Sequence, residues 1–178
     1  VSVFSDLNNL DDISMREPYA AICGITETEL RTHFDEDIHT LASALERTYE
    51  EARSLLRKRY DGYHFVAGGP GIYNPFSLLN TFKYMRPEDY WFETGTPSYL
   101  VELLKHTHYD LYELANTETD ADVLNSIDST SSNPVPVIYQ SGYLTIKDYD
   151  SRFGIYKLGF PNLEVEEGFV KYLLPFYT

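Results

Sequence analysis

The sequence contains a single cysteine, Cys23, among its 178 residues. An intrachain disulfide and a four-cysteine zinc site are therefore excluded, and a reducing, cytoplasmic location fits this composition. Because Cys23 lies beside Ile22 and Ile25, we expect its side chain to be buried as a small apolar group. No stretch approaches the roughly 20 consecutive apolar residues of a membrane-spanning helix, so we expect no membrane association.

Basic residues are also scarce, since 14 Lys and Arg stand against 28 Asp and Glu and give a formal charge of −14. Non-specific binding to nucleic acid needs clustered Lys and Arg to neutralise phosphates. We therefore expect this chain by itself to bind nucleic acid weakly or not at all. Hydrophobic residues make up 43% of the chain and aromatic residues 15%, which is enough to form a folded core.

The common catalytic motifs are missing from the sequence. It has no Gly-x-x-x-x-Gly-Lys-[Ser/Thr] phosphate loop, no Gly-x-Ser-x-Gly elbow and no His-Glu-x-x-His zinc motif. His106 and His108 point in different directions if they lie on a helix, which is unsuitable for a shared metal ion. The acidic runs at 35–37 and 164–167 are typical of solvated helix starts. We expect no catalytic residue, no metal ion and no cofactor in this chain.

Helical periodicity is clearest over residues 26–59. There, apolar residues recur every three or four positions and form one stripe: Leu30, Phe34, Ile38, Leu41, Leu45, Tyr49, Ala52 and Leu56. Thr26 with Glu29, and Thr48 with Glu51, have the spacing of a capping box. We predict two or three helices with breaks near Asp35 and Thr48.

A central aromatic stretch follows, in which residues 60–65 and 72–76 flank a glycine-rich reversal. This pattern predicts a short β-hairpin at 60–74. Asn74 is the predicted N-cap of the next helix and Pro75 its first residue. The residues that we expect to form a structural or interaction motif here are Tyr60, Asp61, Gly62, Tyr63, Phe65, Tyr73, Asn74 and Pro75. We expect the aromatic side chains among them to pack onto the neighbouring helices.

The rest of the chain predicts short helices and one further hairpin. A cap-then-proline signal at Thr96 and Pro97 predicts a helix start, and the polar segment 109–133 predicts a linker with a short helix. A helix at 134–141, strands at 143–149 and 155–160, and a helix from Leu163 give winged-helix order. The predicted fold class is α+β, mainly helical, with a helical bundle and a short β-hairpin followed by a winged-helix-like unit.

Several stretches together resemble one bacterial family, the AAA-ATPase-like proteins that are common in Bacteroidetes and usually carry a C-terminal PD-(D/E)XK nuclease-like domain. The stretches that carry the resemblance are 60–65 (Tyr-Asp-Gly-Tyr-His-Phe), 73–80 (Tyr-Asn-Pro-Phe-Ser-Leu-Leu-Asn), 90–97 (Tyr-Trp-Phe-Glu-Thr-Gly-Thr-Pro), 4–10, 23–26, 139–146 and 159–162. The resemblance covers the lid and winged-helix part of such proteins, so the phosphate-binding loop is expected upstream of Val1.

The resemblance implies three regions: the tail end of an ATPase-like core at 1–25, a lid-like region at 26–119 and a winged-helix-like unit at 120–178. It also implies a non-catalytic regulatory and interaction module, which couples an upstream nucleotide-bound core to a downstream nuclease-like domain. ATP and Mg²⁺ would then be bound by the full-length parent rather than by this chain. The candidate nucleotide-proximal residues are Asn8, Arg57 and Arg59.

Other interpretations remain open from the sequence. The basic residues at 57–59 also suit the C-terminus of a helix, where cations interact favourably with the macrodipole. A nucleic-acid-binding winged helix would use 134–141 as its recognition helix, although that segment has no Lys or Arg. An enzyme with Asp61 and His64 as acid and base is the weakest alternative, because no nucleophile or oxyanion partner accompanies them.

Overall fold

The computed structural model describes residues 15–95, 102, 104, 111–114, 116–126 and 133–177. Their fold is α+β and mainly helical, which confirms the predicted class. Across these ranges, no helix combines the length and apolarity needed to cross a membrane. Several predicted features lie outside the described residues: Asn8, the helix start at Thr96 and Pro97, and the pair His106 and His108.

The first part of the chain folds as predicted from its caps. A 3-10 helix (Glu17–Tyr19) and strand β1 (Ile25–Thr26) precede helices α1 (Glu27–His33), α2 (Asp35–Ala44) and α3 (Tyr49–Tyr60). In α3 the Thr48 hydroxyl accepts from the Glu51 N–H at 3.3 Å, and the Glu51 carboxylate accepts from the Thr48 N–H at 2.8 Å. Thr26 and Glu29 form the same capping box at the start of α1. The predicted helix breaks are therefore confirmed.

The central reversal leads into strand β2 (Ile72–Tyr73) and helix α4 (Pro75–Tyr84). Asn74 caps α4, since its Oδ1 accepts from the N–H groups of Phe76 at 3.0 Å and Ser77 at 3.3 Å. The predicted hairpin is reduced to a single antiparallel bridge between Tyr63 and Ile72. Strand β2 pairs instead with β1. The first arm does not form a longer strand, because its first residue, Tyr60, is still the last residue of α3.

The second part of the chain combines short helices with a three-stranded sheet. Its elements are α5 (Tyr90–Gly95), α6 (Leu111–Leu114), β3 (Glu118–Asp120), α7 (Ala121–Asn125), α8 (Val135–Gln140), β4 (Thr145–Asp150), β5 (Ile155–Gly159) and α9 (Leu163–Tyr177). The antiparallel strand order is β3-β5-β4. The order of α8, β4, β5 and α9 matches the predicted helix, hairpin and helix. Strand β3 was not predicted, because none of its three residues, Glu-Thr-Asp, is apolar.

Two apolar clusters lie within the described residues. The helical cluster contains Leu30, Ile38, Leu41, Ala42, Ala52, Leu56, Tyr60, Tyr73, Leu78 and Phe82. The mixed cluster contains Phe92, Leu104, Leu114, Leu124, Val135, Ile138, Tyr143, Leu144, Ile146, Leu158, Val165 and Phe169. The predicted domain boundary between residues 119 and 120 stays a prediction. Phe92, Leu104 and Leu114 precede this boundary, but their side chains pack in the mixed cluster with residues that follow it.

The side chains of Cys23 and Phe65 are more exposed than expected. Cys23 is exposed rather than buried, because the turn that follows the 3-10 helix directs only Ala20 inward and leaves Ile22 66% exposed. Phe65 is 38% exposed and does not join the buried aromatic residues of the central stretch. Its position in the bend just before the Gly68 turn explains this difference.

Candidate functional site

Five of the seven stretches that carry the family resemblance meet where the helical and mixed clusters face each other. We call this zone the seam and define it by Gly62, His64, Ser77, Trp91, Gly142, Thr145, Pro161 and Glu164. The first seven of these residues come from the stretches 60–65, 73–80, 90–97, 139–146 and 159–162, and the eighth comes from the first turn of α9. Residues far apart in the sequence are thus brought together at one place.

Glu164 lies at the centre of the seam and is fully buried. Its Oε1 accepts hydrogen bonds from the Ser77 hydroxyl at 2.7 Å and from the Trp91 N–H at 2.9 Å. Trp91 lies in the first turn of α5, where backbone N–H groups have no partner within the helix. A carboxylate on α9 therefore caps α5 and also binds α4.

Burial raises the pKa of the Glu164 carboxyl to about 7, although the hydrogen bonds from Ser77 and Trp91 act in the opposite direction. The prediction that the acidic run 164–167 is solvated is wrong for Glu164. Glu166 is exposed, as expected, whereas Glu164 faces the seam. A short acidic run at a helix start includes positions on both faces, and composition alone does not distinguish them.

A second polar group also connects the two parts of the chain. The Arg59 guanidinium on α3 pairs with Asp89 and lies 3.6 Å from the Glu167 carboxylate on α9. The Lys171 ammonium lies 3.3 Å from the Asp89 carboxylate. The side chains of Arg59 and Asp89 are only 15% and 13% exposed. This ion network holds α3, the segment before α5 and α9 together.

The predicted nucleotide-proximal residues have different surroundings. The Arg57 side chain is 65% exposed, and its Nε lies 3.7 Å from the Asp61 carboxylate. Arg59 is directed into the ion network with α9. Asn8 lies outside the described residues. The structure therefore places Arg57 and Arg59 in the last turn of α3 but gives them separate partners.

Two tyrosines of the central stretch, Tyr60 and Tyr73, are buried in the helical cluster. The Tyr60 hydroxyl donates to the Glu88 carbonyl at 2.8 Å and accepts from the Thr81 hydroxyl at 2.9 Å. Burial raises the pKa of the Tyr60 phenol to about 12. The Tyr73 hydroxyl donates to the Glu27 carboxylate at 2.6 Å, and burial raises its pKa as well. These tyrosines connect the central stretch to the helices around it.

The backbone at residues 62–64 docks directly on the second part of the chain. Gly62 has φ +105°, and a Cβ atom placed there would lie 2.2 Å from the Pro161 carbonyl oxygen. The His64 N–H donates to the Thr145 hydroxyl at 2.7 Å, and that hydroxyl donates to the His64 carbonyl at 3.0 Å. No periodicity or local motif indicates such a pairing, so sequence reasoning missed it.

Asp61 and His64, the weakest catalytic candidates, both bind backbone groups of their own loop. The Asp61 carboxylate accepts from the Gly62 N–H at 2.7 Å, and burial raises its pKa. The His64 Nδ1 lies 3.0 Å from the Gly69 carbonyl oxygen. Within the described ranges, no group of three or more His, Cys, Asp or Glu side chains is arranged to hold a metal ion.

A cleft of about 960 Å³ opens beside the seam, and both parts of the chain contribute to its walls. Aromatic rings and side-chain amides line it, including those of Trp91, Tyr139, Asn74 and Gln140. Its described walls carry no carboxylate, although acidic residues are abundant in the chain. The cleft therefore suits apolar and hydrogen-bonding groups of a partner.

Comparison with known proteins identifies a longer relative of this chain. The chain is similar to a protein described as "Uncharacterized protein in vnfD 5'region" from Azotobacter chroococcum mcd 1, with 37% identity over 177 residues. The match covers 98% of this chain and 32% of that relative, so the chain spans about a third of the length of the relative. No family model matches the sequence. No solved structure matches it either.

Proposed function

We propose that this chain is a non-catalytic regulatory and interaction module of a larger, cytoplasmic, AAA-ATPase-like protein. Its helical part would act as a lid and its second part as a winged-helix-like unit. The family resemblance supports this proposal, and so does the match to a third of a longer relative. The module would couple a nucleotide-bound core to a downstream nuclease-like domain, while ATP and Mg²⁺ are held by the core.

The observation that carries the proposal is the Arg59 ion network, which joins α3 to α9. Arg59 lies in the last turn of α3 together with the exposed Arg57. Arginine binds phosphate and carboxylate oxygens with the same planar fork. A triphosphate presented near this helix end would therefore compete with Asp89 and Glu167 for the Arg59 guanidinium. An exchange of partners would release α9 and transmit the nucleotide state.

The test uses the full-length natural protein and measures the activity of its downstream domain with and without ATP. Arg59→Gln is expected to abolish the effect of ATP on that activity. The matched control is Arg86→Gln, because Arg86 is 73% exposed and pairs locally with Glu88. An Arg59→Gln protein that responds to ATP as strongly as the control would refute the proposal.

The chain by itself is expected not to bind ATP. An exposed charge contact such as one to Arg57 is worth about 1 kcal/mol or less, whereas micromolar affinity requires roughly 8 kcal/mol. Isothermal calorimetry with ATP and Mg²⁺, paired with a phosphate-release assay, measures this directly. Saturable micromolar binding would show that the chain contains a nucleotide site of its own.

The alternative is a nucleic-acid-binding winged helix. The tip of the β4–β5 hairpin favours it, since Arg152 has an 80% exposed side chain and Phe153 is 70% exposed. Helix α8 weighs against it, because Val135, Pro136 and Ile138 are buried and the helix has no Lys or Arg. Fluorescence anisotropy with random duplex DNA distinguishes the two functions. Micromolar binding that weakens steeply with salt would favour the alternative.

A further inference from the structure

Large apolar side chains are exposed along the walls of the cleft beside the seam. Ile22 is 66% exposed, Tyr19 is 42% exposed and Phe65 is 38% exposed, and all three line the cleft. Exposed apolar side chains that are scattered singly are normal, whereas a group of them at one concave site marks a surface that binds a ligand or a partner. The cleft is therefore a candidate interaction site for apolar groups.

Hydrogen bonds within the chain hold the walls of the cleft in position. The Ile72 N–H donates to the Tyr63 carbonyl at 2.9 Å and fixes the loop on the first part of the chain. On the second part, the Gln140 side-chain amide donates to the Leu124 carbonyl at 2.9 Å. A site whose walls are already fixed loses less conformational entropy when it binds. The cleft is therefore preorganised for binding.

The charge of the cleft differs from the charge of the chain. The chain has a formal charge of −14, yet no Asp or Glu lines the described walls of the cleft. Arg16 and His64 supply basic side chains there, and Asn125 and Gln140 add exposed side-chain amides that donate hydrogen bonds. An anionic group is therefore repelled less in this cleft than elsewhere on the acidic surface.

Charge also selects the occupant of the cleft. A second copy of the chain brings another formal charge of −14, so the two molecules repel each other. A basic partner is attracted to the acidic surface as a whole, but it finds no carboxylate on the described walls of the cleft. A segment that carries both acidic and apolar side chains is complementary to the cleft in both respects.

We propose that the cleft beside the seam is a docking site for a short acidic segment of a partner protein, which places an apolar side chain against Ile22 and Phe65. A volume of about 960 Å³ is in the range of sites that enclose small ligands, so it admits only a few residues of the segment. The described walls include neither Arg57 nor Arg59. The inference therefore goes beyond the proposed coupling to nucleotide and does not depend on it.

The test begins with the selection of peptides from a phage-displayed random library on the immobilised chain. Enriched peptides are expected to combine Asp or Glu with an aromatic or aliphatic residue, although the net charge of the chain attracts basic peptides. Binding of the most enriched peptide is then followed by the fluorescence of Trp91, the only tryptophan, which lies on the cleft wall. Enrichment of peptides rich in Lys and Arg, or of no common motif, would refute the docking site.

A pair of variants locates the bound peptide. Ile22→Asp places a carboxylate on the cleft wall and should weaken binding of the acidic peptide by about tenfold or more. Phe153→Asp is the matched control, because Phe153 is 70% exposed and lies outside the described walls of the cleft. Both variants add one negative charge at an exposed position. Equal affinities of the two variants would show that the peptide binds elsewhere, which would overturn the inference.

Two further measurements distinguish a separate partner from other occupants. Analytical ultracentrifugation should show a monomer, whereas a dimer that dissociates in Ile22→Asp but not in Phe153→Asp would assign the cleft to a second copy. Cys23, the only cysteine, is exposed on the cleft wall, so its rate of reaction with N-ethylmaleimide reports whether the cleft is covered. Equal rates in the chain and in the full-length natural protein are expected. A much slower rate in the full-length protein would show that another part of the same protein fills the cleft, and would overturn the assignment to a partner.

Discussion

In the helical cluster, most buried side chains lie on helices α1 to α4, which follow one another from residue 27 to residue 84. The mixed cluster instead draws on residues from 92 to 169 and on a sheet in which β5 lies between β3 and β4. Caps and apolar periodicity are local signals, so they describe the first cluster well. The mixed cluster depends on contacts between residues far apart in the sequence. Mutations that weaken one cluster or the seam measure separately how much local signals and distant contacts contribute to stability.

The largest expected effect is on the mixed cluster. Phe169 is 1% exposed, and its ring contacts those of Phe92, Tyr143 and Phe160. Phe169→Ala should lower the free energy of unfolding by about 3–5 kcal/mol, the usual loss for a buried aromatic side chain. Urea denaturation followed by circular dichroism measures it.

Val170→Ala is the matched control for Phe169→Ala, since Val170 is the next residue and is 46% exposed. Its expected effect is within about 0.5 kcal/mol.

The fluorescence of Trp91 reports the mixed cluster, while circular dichroism is dominated by the helices. Transitions that coincide for both probes would show that the seam makes the two clusters one cooperative unit. Separate transitions would show that it does not.

The next effect concerns the charge of Glu164 in the seam. Its folded pKa of about 7 lies above the ordinary 4.5, so the folded state binds the proton more tightly than the unfolded state. The associated stability is fully present below pH 4.5 and is lost as the pH rises through 7. Glu164→Gln resembles the protonated form and should be more stable than wild type at pH 8, by up to about 3 kcal/mol. The difference should vanish near pH 4.5.

Thermal unfolding between pH 4.5 and pH 8 provides the measurement for Glu164→Gln. Glu166→Gln is the control, because Glu166 lies in the same turn of α9 but is exposed. Its stability should follow that of the wild type at every pH. A Glu164→Gln difference that does not change with pH would contradict the raised pKa.

A smaller effect is expected from the close backbone approach at Gly62. An alanine there would have a strained φ and a Cβ atom 2.2 Å from the Pro161 carbonyl, so Gly62→Ala should destabilise the chain by about 2 kcal/mol or more. Gly68 also has a positive φ, +73°, but nothing lies within 4 Å of its Cβ position. Gly68→Ala should therefore cost only about 1 kcal/mol. Equal losses in chemical denaturation would show that the contact with Pro161 is unimportant.

The smallest effect tests a local signal in the helical cluster. Thr48→Ala removes the capping box of α3 and should lower stability by about 1 kcal/mol. Thr40 lies inside α2, where its hydroxyl bonds only to the Glu36 carbonyl, so Thr40→Ala should be close to neutral. Chemical denaturation of both variants measures the difference. A loss for Thr40→Ala as large as for Thr48→Ala would count against the capping argument.

The features that could be predicted from the sequence all depend on residues that are close together along the chain. The capping boxes at Thr26 and Thr48 and the cap at Asn74 all involve partners within a few residues, and all three are confirmed. The hairpin of β4 and β5 follows from alternation and a turn. The mainly helical α+β class follows from the same signals.

What escaped prediction depends on partners far along the chain. Strand β3 has little apolar pattern and exists because it pairs with β5. The burial of Glu164 requires Ser77 and Trp91, which lie 87 and 73 residues away. The side chain of Cys23 was wrongly predicted to be buried, because the nearby isoleucines do not indicate which side of a turn faces solvent. The resemblance to an ATPase-like family stays a prediction, although five of its seven motif stretches meet at the seam.

The capping of α5 by Glu164 has a consequence for the order of folding. Helix α5 has six residues and is too short to be stable by itself in water. In a chain emerging from the ribosome, the Trp91 N–H can donate to the Ser77 hydroxyl, which lies 3.1 Å away, but the Glu164 carboxylate is made 73 residues later. Helices α1 and α3 begin with capping boxes of their own and have no such delay. During synthesis, therefore, the carboxylate cap of α5 is completed only after the first turn of α9 has been made.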